Sequence, residues 1–368
     1  MQWKKNKNYL VILSIVLVLM LLFAGCSTKE NGGQNNEEDV YEVNYQLSHQ
    51  PMQYITQHTH IPFAERLEER SDGRLKVLIF DTRSVTDDTI EAASEGLLEI
   101  AGGGHNLYPG VFPLTETFRL PFLLPGATIA SIVSWHIYEN FPEWRAEYPE
   151  NVVVLGQFTS PTHQLHSKTP IRTLEDLQGK RIGAWDSMGL RIVEALGGIP
   201  IRDTGPDSAM NLDRGLIDAV LCPLAPVKAY GIDEIARYHT IGDFYTSTFF
   251  YIANRQWLES LPEDLQDIIV SNFGYEFAEQ SGLAMDEGAL MDCEDMVEKV
   301  PGTEFIVLSP DELDRWREKM EPVYDEYLEK MDETGKREVA EAIIAEIKSY
   351  RQQLIEEGKF IPDYASLN

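Results

Sequence analysis

The sequence predicts an α/β fold with mostly parallel sheets, divided into two domains. Three observations support this prediction. From Val40 onward, short apolar segments of strand character alternate with segments of helical pattern. The middle third of the chain repeats strand and helix in the order βαβαβ. A helical stretch from Ser260 to about Val297 is long enough to cross from one domain to the other.

The first elements are justified by periodicity and by turn residues. Apolar and polar residues alternate in residues 41–47, which predicts a strand. Asp87 or Asp88 can cap a helix whose apolar residues lie on one face. The other elements of this part are a helix over 61–68 that ends at Ser71-Asp72-Gly73, a strand over 75–80, and a strand that opens at 99–101 before a run of glycines.

The middle of the chain has clearer boundaries. Thr173 precedes Leu174-Glu175-Asp176 in a pattern like a capping box, and Gly179 ends that helix. The βαβαβ unit follows, with strands over 181–184, 199–201 and 217–221 and helices over 187–196 and 207–214. A further strand is predicted over 248–253, before the long helical stretch. Ser309 caps a later helix, and residues 336–356 form the terminal one.

The N-terminus has the pattern of a signal peptide. Lysines 4, 5 and 7 precede an apolar run of 16 residues, 9–24, which is shorter than the roughly 20 residues that span a bilayer. The run ends in Phe23-Ala24-Gly25-Cys26, which resembles the lipobox of bacterial lipoproteins and implies a diacylglycerol on Cys26. Residues 1–25 are therefore predicted to be a lipoprotein signal peptide, and residues 26–39 a flexible tether. The alternative is an uncleaved anchor helix, and either interpretation places the rest outside the cytoplasm.

Charge and cysteine content exclude other classes. The formal net charge is -29 at pH 7, which argues against a nucleic acid as partner because phosphate binding requires a basic stripe. We interpret the negative charge as a source of solubility. Lipidation of Cys26 would leave Cys222 and Cys293, too few for a disulfide framework, so the fold must depend on its core.

Several short motifs occur in a characteristic order. They are Phe63-Ala64-Glu65 with Ser71-Asp72-Gly73-Arg74-Leu75-Lys76-Val77, residues 91–101 with their glycine-rich turn, Leu120-Pro121-Phe122-Leu123, Thr173-Leu174-Glu175-Asp176-Leu177-Gln178-Gly179-Lys180, Ala195-Leu196-Gly197 with Pro200, Arg214-Gly215-Leu216-Ile217-Asp218, and Leu261-Pro262-Glu263-Asp264-Leu265. In this order they resemble the substrate-binding proteins of tripartite ATP-independent periplasmic (TRAP) transporters, the DctP-like family, over about residues 41–330.

The resemblance implies two α/β domains with a ligand cleft between them, crossing strands and a long interdomain helix, as in periplasmic binding proteins. Domain I is expected to comprise residues 40–160 and 250–289, and domain II residues 161–249 and 290–368 with the C-terminal helices. Such a protein is an extracytoplasmic receptor, here held at the membrane through Cys26, that delivers a small solute to the membrane subunits of a TRAP permease. No cofactor, metal or catalytic activity is expected. A sensory or metal-binding receptor of another system is the alternative, and a hydrolytic enzyme ranks lower.

The residue that usually predicts the ligand in this family is missing. The resemblance places an arginine that binds the ligand carboxylate on the strand after Gly179-Lys180, and this sequence has Gly183 there. Arg181 lies two residues earlier, and His163 aligns with a second basic position. The expected solute is still an organic acid or a related anion such as a sulfonate. Arg191 and Arg119 are candidates for the missing positive charge, although surface positions are expected for both.

Further candidate residues follow from local chemistry. Gly183 would let a ligand approach the backbone, and the helix that starts near Ser187 offers N–H groups as an anion site. Trp185 could stack on the ligand or instead cover the domain core, and Asp186 could accept a hydrogen bond or bind an ammonium group. The other candidates lie at predicted strand ends, where open α/β sheets place ligands: Ser48, His49, Asp87, His105, Asn106, Phe158, His163, Cys222, Phe244 and Tyr245.

Three other interpretations have less support. Glycines 102–104 lack the lysine and the spacing of a phosphate-binding loop. His58 and His60, with His49 nearby, have the residue type of a zinc site, but two histidines at this spacing are usually solvated. Cys222 and His163 are the thiol pair that an enzyme could use, and the sequence has no GxSxG motif.

Overall fold

The structure, a computed structural model, describes residues 39–367. Cys26, the predicted signal peptide and residues 26–38 of the predicted tether lie outside the described residues. The strands are β1 Tyr41–Gln46, β2 Leu75–Phe80, β3 Ile100–Gly104, β4 Val152–Thr159, β5 His163–Ser167, β6 Arg181–Ala184, β7 Ile199–Arg202, β8 Ala219–Pro223, β9 Tyr238–Ile241, β10 Thr248–Asn254 and β11 Glu304–Val307.

The helices alternate with these strands along the chain. They are α1 Ile61–Arg70, α2 Thr89–Ser94, α3 Ala127–Asn140, α4 Pro142–Arg145, α5 Leu174–Leu177, α6 Ser187–Ala195, α7 Gly205–Asp213, α8 Arg255–Ser260, α9 Glu263–Ser271, α10 Tyr275–Lys299, α11 Pro310–Glu318, α12 Glu321–Glu333 and α13 Arg337–Glu356. A π-helical turn, Thr56–His60, leads into α1. Short 3-10 turns cover His105–Leu107, Thr115–Arg119 and Tyr364–Leu367.

The strands form two sheets. Sheet 1 has the order β2-β1-β3-β10-β4, and sheet 2 has the order β11-β9-β5-β8-β6-β7. The chain passes from sheet 1 to sheet 2 between β4 and β5 and returns between β9 and β10, which confirms the crossing strands. β5 and β10 run antiparallel to both of their neighbours, whereas the other pairs are parallel. The sheets are therefore mixed, because a strand that arrives from the other sheet starts where the parallel strands end.

The crossings place two sheet edges face to face. β4 ends at Thr159 and β5 begins at His163, so the chain covers at most about 14 Å between the sheets. β1, β3 and β4 end at this edge of sheet 1, and β6, β7, β8 and β9 end at the facing edge of sheet 2. Open α/β sheets bind ligands beyond the carboxyl ends of their strands. The topology therefore defines a cleft between the two sheets.

Each sheet packs on a hydrophobic core. Tyr251 and Phe277 belong to the core of sheet 1, and Leu165 and Trp316 to a core of sheet 2. A further cluster joins the almost wholly buried α3 to α12 and α13, so the C-terminal helices contact the segment between β3 and β4. The exact domain boundaries stay a prediction.

The long interdomain helix is shorter than predicted. α9 and α10 are separate because Gly274 adopts a φ of 76°, a left-handed conformation that interrupts a helix. α10 nevertheless crosses between the two halves. Its middle contributes Met285 to the core of sheet 1, and its C-terminal part contributes Met296 to a core of sheet 2.

Asp286 joins α10 to α3. Its fully buried carboxylate accepts hydrogen bonds from the backbone N–H groups of Ala127 (2.8 Å) and Thr128 (2.7 Å) and from the Thr128 hydroxyl (2.8 Å). The N–H groups in the first turn of a helix have no partner within that helix, and Asp286, which belongs to α10, accepts hydrogen bonds from two of those of α3. Burial raises the pKa of Asp286 to about 7. The hydrogen bonds from Ala127 and Thr128 lower the pKa, but their effect is smaller than that of burial. At Gly282, one turn earlier, an added Cβ would lie 2.6 Å from the Ala127 carbonyl oxygen, so the two helices are in close contact.

The predicted helix starts are confirmed where capping residues marked them. Asp88, and not Asp87, caps α2 by accepting from the N–H of Glu91 at 3.0 Å. Thr173 and Asp176 form a capping box on α5. Ser309 accepts from the N–H of Glu312 at the start of α11. These boundaries depend on neighbouring residues, which is why the sequence predicts them.

Five buried histidines predict a loss of stability in acid. They are His60, His105, His163, His166 and His239. Burial lowers the pKa of His105 to about 3 and those of His163 and His166 to about 4, and it also lowers those of His60 and His239. The unfolded chain binds protons at these rings below a pH of about 6.5. The free energy of unfolding should therefore fall as the pH falls from about 6.5 towards 4, although Asp286, with its raised pKa, opposes the trend.

Urea unfolding, followed by tryptophan fluorescence at a series of pH values from about 7.5 to 4.5, measures this dependence. His105→Gln should reduce the slope because it removes one of the rings. His58→Gln is the matched control, since the His58 side chain is exposed. An unfolding midpoint that stays level or rises as the pH falls would contradict the prediction.

Candidate functional site

A cavity of about 550 Å³ lies between the facing edges of the two sheets. Its walls are the segment after β1, the start of β10, one face of α10 and residues 223–229, which begin with the last residue of β8. The volume is within the range of roughly 300–1,000 Å³ that is typical of small-molecule sites. Both halves of the molecule contribute walls, so a change in their relative position would change the shape of the cavity.

Aromatic and apolar side chains dominate these walls. Tyr54 and His58 stack with ring centroids 3.8 Å apart. Phe249, the second residue of β10, lies with its ring 4.6 Å from that of His49. Met285 lines the wall that α10 provides. An apolar or aromatic body fits such walls by burying its surface against them.

Two charged side chains of opposite sign lie together in the cavity wall. The Lys228 Nζ is 3.1 Å from Asp292 Oδ1, and both residues line the cavity. The same Nζ donates to Asp295 Oδ2 at 2.5 Å, and Asp295 is outside the lining. The hydrogen bond to Asp295, with the contacts to Asp292, raises the pKa of Lys228, so its ammonium group stays charged.

A smaller recess of about 120 Å³ lies at the ends of β1 and β3. It brings together Ser48, Asp87 and Asn106, which the sequence singled out, and Phe249 lines both this recess and the larger cavity. The glycines of β3 are needed for close packing here. At Gly102 an added Cβ would lie 2.6 Å from the ring of Tyr251. The recess is therefore a polar extension of the cavity on the side of sheet 1.

A buried polar cluster lies at the start of α6. Asp186 accepts from the N–H of Gly189 at 2.9 Å and from the Tyr245 hydroxyl at 3.0 Å. Arg119 Nη2 is 2.7 Å from Asp186 Oδ1, and Nη1 bonds Glu116 at 3.2 Å. Burial alone would raise the pKa of Asp186, but Arg119 holds it below its ordinary value. The prediction that Arg119 lies at the surface was wrong, because only 7% of this residue is exposed.

The cluster also decides what the N-terminus of α6 can bind. The Asp186 side chain already occupies the N–H of Gly189, so this group is not free for an anion, in contrast to the expectation. The neighbouring Ser187 is exposed. The His163 ring stacks on Tyr245 at 3.7 Å, and burial lowers its pKa to about 4, so it is neutral at pH 7.

Gly183 faces filled space. An added Cβ would lie 2.9 Å from Asp203 Oδ2 and 2.9 Å from Ile217 Cδ1. Arg181 is engaged with Asp218 at 2.9 Å, and the exposed Arg191 is held by Glu194 and Glu326, as its expected surface position implies. The position of the expected arginine therefore has no replacement cation among these neighbours.

Trp185 is half-buried and fixed by neighbours on its own side of sheet 2. Its Nε1 donates to Ser208 Oγ at 2.9 Å, and its ring meets Tyr230 edge to face at 5.7 Å. It does not line the 550 Å³ cavity. Its stacking on a ligand stays a prediction.

Four other candidates have side chains in the cores and not in the cavity. Phe158, Cys222 and Phe244 are fully buried, and His105 bonds the Tyr148 hydroxyl at 2.6 Å. Phe158, Cys222 and His105 lie at or directly after the ends of their strands, whereas Phe244 lies in the connection between β9 and β10. A direct role in ligand binding stays untested for each of them.

The histidine cluster gives no support to a metal site. His60 is surrounded by rings, with Phe158 at 5.1 Å and Tyr251 at 5.1 Å, and His58 bonds the Tyr54 carbonyl oxygen. Within residues 39–367, no group of three His, Cys, Asp or Glu side chains is arranged to hold a metal ion.

Other parts of the cavity wall were not predicted from the sequence: Tyr54, Phe249, Lys228 and the cavity-lining face of α10. These residues carry no motif, and they are far apart in the chain. The signal that the sequence offered for Phe249 is its place near the start of the strand that returns from sheet 2, because such a strand starts at the cleft.

Two α/β halves, joined by crossing strands and a crossing helix around a solute-sized cavity, define a binding protein of the periplasmic type. The chain belongs to the DctP family, described as bacterial extracellular solute-binding protein, family 7, whose model matches residues 47–331. It is accordingly an extracytoplasmic substrate-binding protein of the TRAP type. Within residues 39–367, no helix has the length and apolar character needed to cross a membrane.

Relatives and solved structures agree with this assignment. The ectoine-binding periplasmic protein TeaA of Halomonas elongata is 21% identical over 322 residues, which are 85% of this chain and 93% of TeaA. A TRAP periplasmic solute-binding protein of Desulfovibrio salexigens has a TM-score of 0.78 at 24% identity, covering 89% of this chain and 100% of that one. One from Bordetella bronchiseptica, with bound (R)- and (S)-mandelate, has a TM-score of 0.72 at 24% identity and covers 85% and 99%. These structural likenesses confirm the fold.

The packing around Gly183 leads to a stability prediction. Gly183→Ala should lower the free energy of unfolding by roughly 1–3 kcal/mol because the new methyl group overlaps Asp203 and Ile217. Arg181→Ala is the comparison on the same strand, and loss of its partly exposed ion pair should lower the free energy of unfolding less than Gly183→Ala does, because solvent screens the pair. Urea unfolding of both variants measures the difference. Equal stability of Gly183→Ala and the unmodified protein would mean that the space is not filled.

Proposed function

We propose that this protein is a membrane-anchored solute receptor, which captures a small polar organic solute in the 550 Å³ cavity and delivers it to the membrane subunits of a TRAP-type secondary transporter. The solute is an organic acid or a related anion such as a sulfonate. The observation that carries the proposal is the position of the cavity, which has walls from both halves and lies beside the two crossings.

The geometry suits capture and release. The crossing segments are the hinges, because residues 160–162 and 242–247 connect the sheets without belonging to either. Rotation about them separates the walls that Tyr54 and Pro223 provide, on opposite sides of the cavity. A bound solute contacts both walls and so favours the closed arrangement. The permease would then receive the solute when the two halves open.

The buried thiol supports a binding role without catalysis. Cys222 is fully buried, and burial raises the pKa of its thiol well above the ordinary value. The His163 ring is stacked on Tyr245, and its Nδ1 faces the Tyr245 carbonyl oxygen at 3.1 Å. A buried, protonated thiol is a poor nucleophile.

The direct test is to identify what the purified protein binds. Residues 39–368 are denatured, the released small molecules are identified by mass spectrometry, and the identified solute is titrated calorimetrically against refolded protein. We expect one organic acid to bind in a 1:1 ratio and to be recovered unchanged. If no small molecule is released and none of a panel of carboxylates and sulfonates raises the melting temperature, the proposal fails.

Phe249 provides a mutational test of the cavity. Phe249→Ala removes a ring shared by the cavity and the recess, so the affinity for the released solute should fall at least tenfold, about 1.4 kcal/mol. Phe360→Ala is the matched control, because Phe360 is partly exposed and outside the cavity. Circular dichroism confirms that both variants are folded. Unchanged affinity of folded Phe249→Ala would place the solute elsewhere.

Cys26 provides the test of the anchor. The full chain, expressed in a bacterial host, should incorporate a radiolabelled fatty acid, and Cys26→Ser should not, because the thiol that receives the diacylglycerol is lost. Cys222→Ser, which changes a buried thiol, should be labelled like the unmodified chain. If the unmodified chain partitions into the detergent phase of Triton X-114 without carrying the label, residues 9–24 are an uncleaved anchor helix.

A further inference from the structure

The charged groups in the cavity wall are arranged as a dipole. Lys228 and Asp292 are in contact at 3.1 Å, and 32% and 36% of their side chains are exposed. Within residues 39–367, Lys228 and Asp292 are the only Lys, Arg, Asp or Glu residues that line the cavity. The other lining residues are apolar or aromatic, or carry a hydroxyl, an amide or an imidazole group. A solute in this cavity therefore meets one positive and one negative group side by side.

The wall has no surplus positive charge for a simple anion. Lys228 is shared between Asp292 and Asp295, and Asp295 also pairs with Lys299, so these two lysines and two aspartates balance and leave no positive charge over. Burial lowers the pKa of His49 to about 4, so that ring in the lining is neutral at pH 7. Placing a carboxylate in this partly enclosed site without a compensating cation costs free energy, because the carboxylate loses part of its water and no cation replaces it.

The neighbouring cations do not correct this balance. Arg119 is paired with Asp186 and Glu116. Arg83, which lines the recess, lies 3.7 Å from the Asp87 carboxylate, which lines the recess as well. Arg202, at the exposed end of β7, donates to the Trp185 carbonyl oxygen at 3.0 Å and is outside the cavity lining. The start of α6 already holds the Asp186 carboxylate at the N–H of Gly189, and it does not line the cavity.

From this balance we infer that the solute is a zwitterion, whose carboxylate binds Lys228 and whose own cationic nitrogen binds Asp292. The inference rests on the proposed function, and it restricts the proposed organic acids to those that also carry a cationic nitrogen. A zwitterion brings a negative group to Lys228 and a positive group to Asp292, so it adds no net charge to the partly enclosed site. Tyr54 and Phe249 add aromatic faces, which attract a cationic nitrogen that has lost its water.

Matched ligands test the inference. Trigonelline and 3-methylbenzoate have the same shape, as do glycine betaine and 3,3-dimethylbutanoate, and each pair differs by one positive charge. Isothermal titration of residues 39–368 should give at least tenfold tighter binding of the zwitterion in any pair that binds. A plain carboxylate that binds as tightly as its zwitterionic partner, or more tightly, would overturn the inference.

Variants assign the preference to residues. Asp292→Asn should abolish the preference, because the zwitterion loses the partner of its cation and Lys228 is freed for the plain carboxylate. Asp295→Asn is the matched control: Asp295 bonds the same Lys228 Nζ but is outside the cavity lining, so the preference should remain. Preference retained in folded Asp292→Asn would contradict the assignment.

The outcome for the proposed function is separate. If neither pair of ligands binds, the inference is tested by the charge of the solute that is released from the purified protein. A released zwitterion supports the inference, and a released anion without a cationic group overturns it while the receptor function stands. If no solute is released and no ligand binds, the proposed function fails as well.

Discussion

The connection between β4 and β5 is the constraint on which the architecture depends. Between Thr159 and His163 the chain must leave one sheet and enter the other, and a short extended segment can do so only if the two sheet edges face each other. The strands that enter a sheet at this edge, β5 and β10, run antiparallel to the strands that end there. The same constraint produces the mixed sheets, the cleft between them and the position of Phe249 in its wall.

The crossing helix α10 makes this arrangement a single structure. Asp286 replaces the missing helical partners of the first N–H groups of α3, which ties α10 to the half that contains sheet 1. Farther along, Met296 packs in the core of sheet 2, and the residues between them line the cavity. One helix therefore stabilises both halves and provides part of the binding surface. A movement at the hinges must be accommodated by packing along α10.

Charge is balanced locally throughout the cleft. The ion pair between Arg119 and Asp186 connects the segment before α3 with the start of α6, where the Tyr245 hydroxyl also donates to Asp186. Lys228 is held in the same way by two acids of α10. The chain is strongly acidic, and both of these basic groups have a carboxylate within reach. A solute that brings its own positive charge is suited to such a site, whereas a simple anion requires a cation that is already engaged.

The sequence by itself determined the features that depend on neighbouring residues: the α/β order of elements, the helix starts at Asp87 or Asp88 and at Ser309, and the motifs of the solute-binding family. Periodicity and helix caps depend on residues that are only a few positions apart, so they can be recognised in the sequence. Only the tertiary structure decided that Gly274 interrupts the long helix, that Arg119 is buried, and that Phe249 lines the cavity. A strand-end position can be predicted from a pattern, but the face toward which its side chain points depends on which distant segment fills the space beside it.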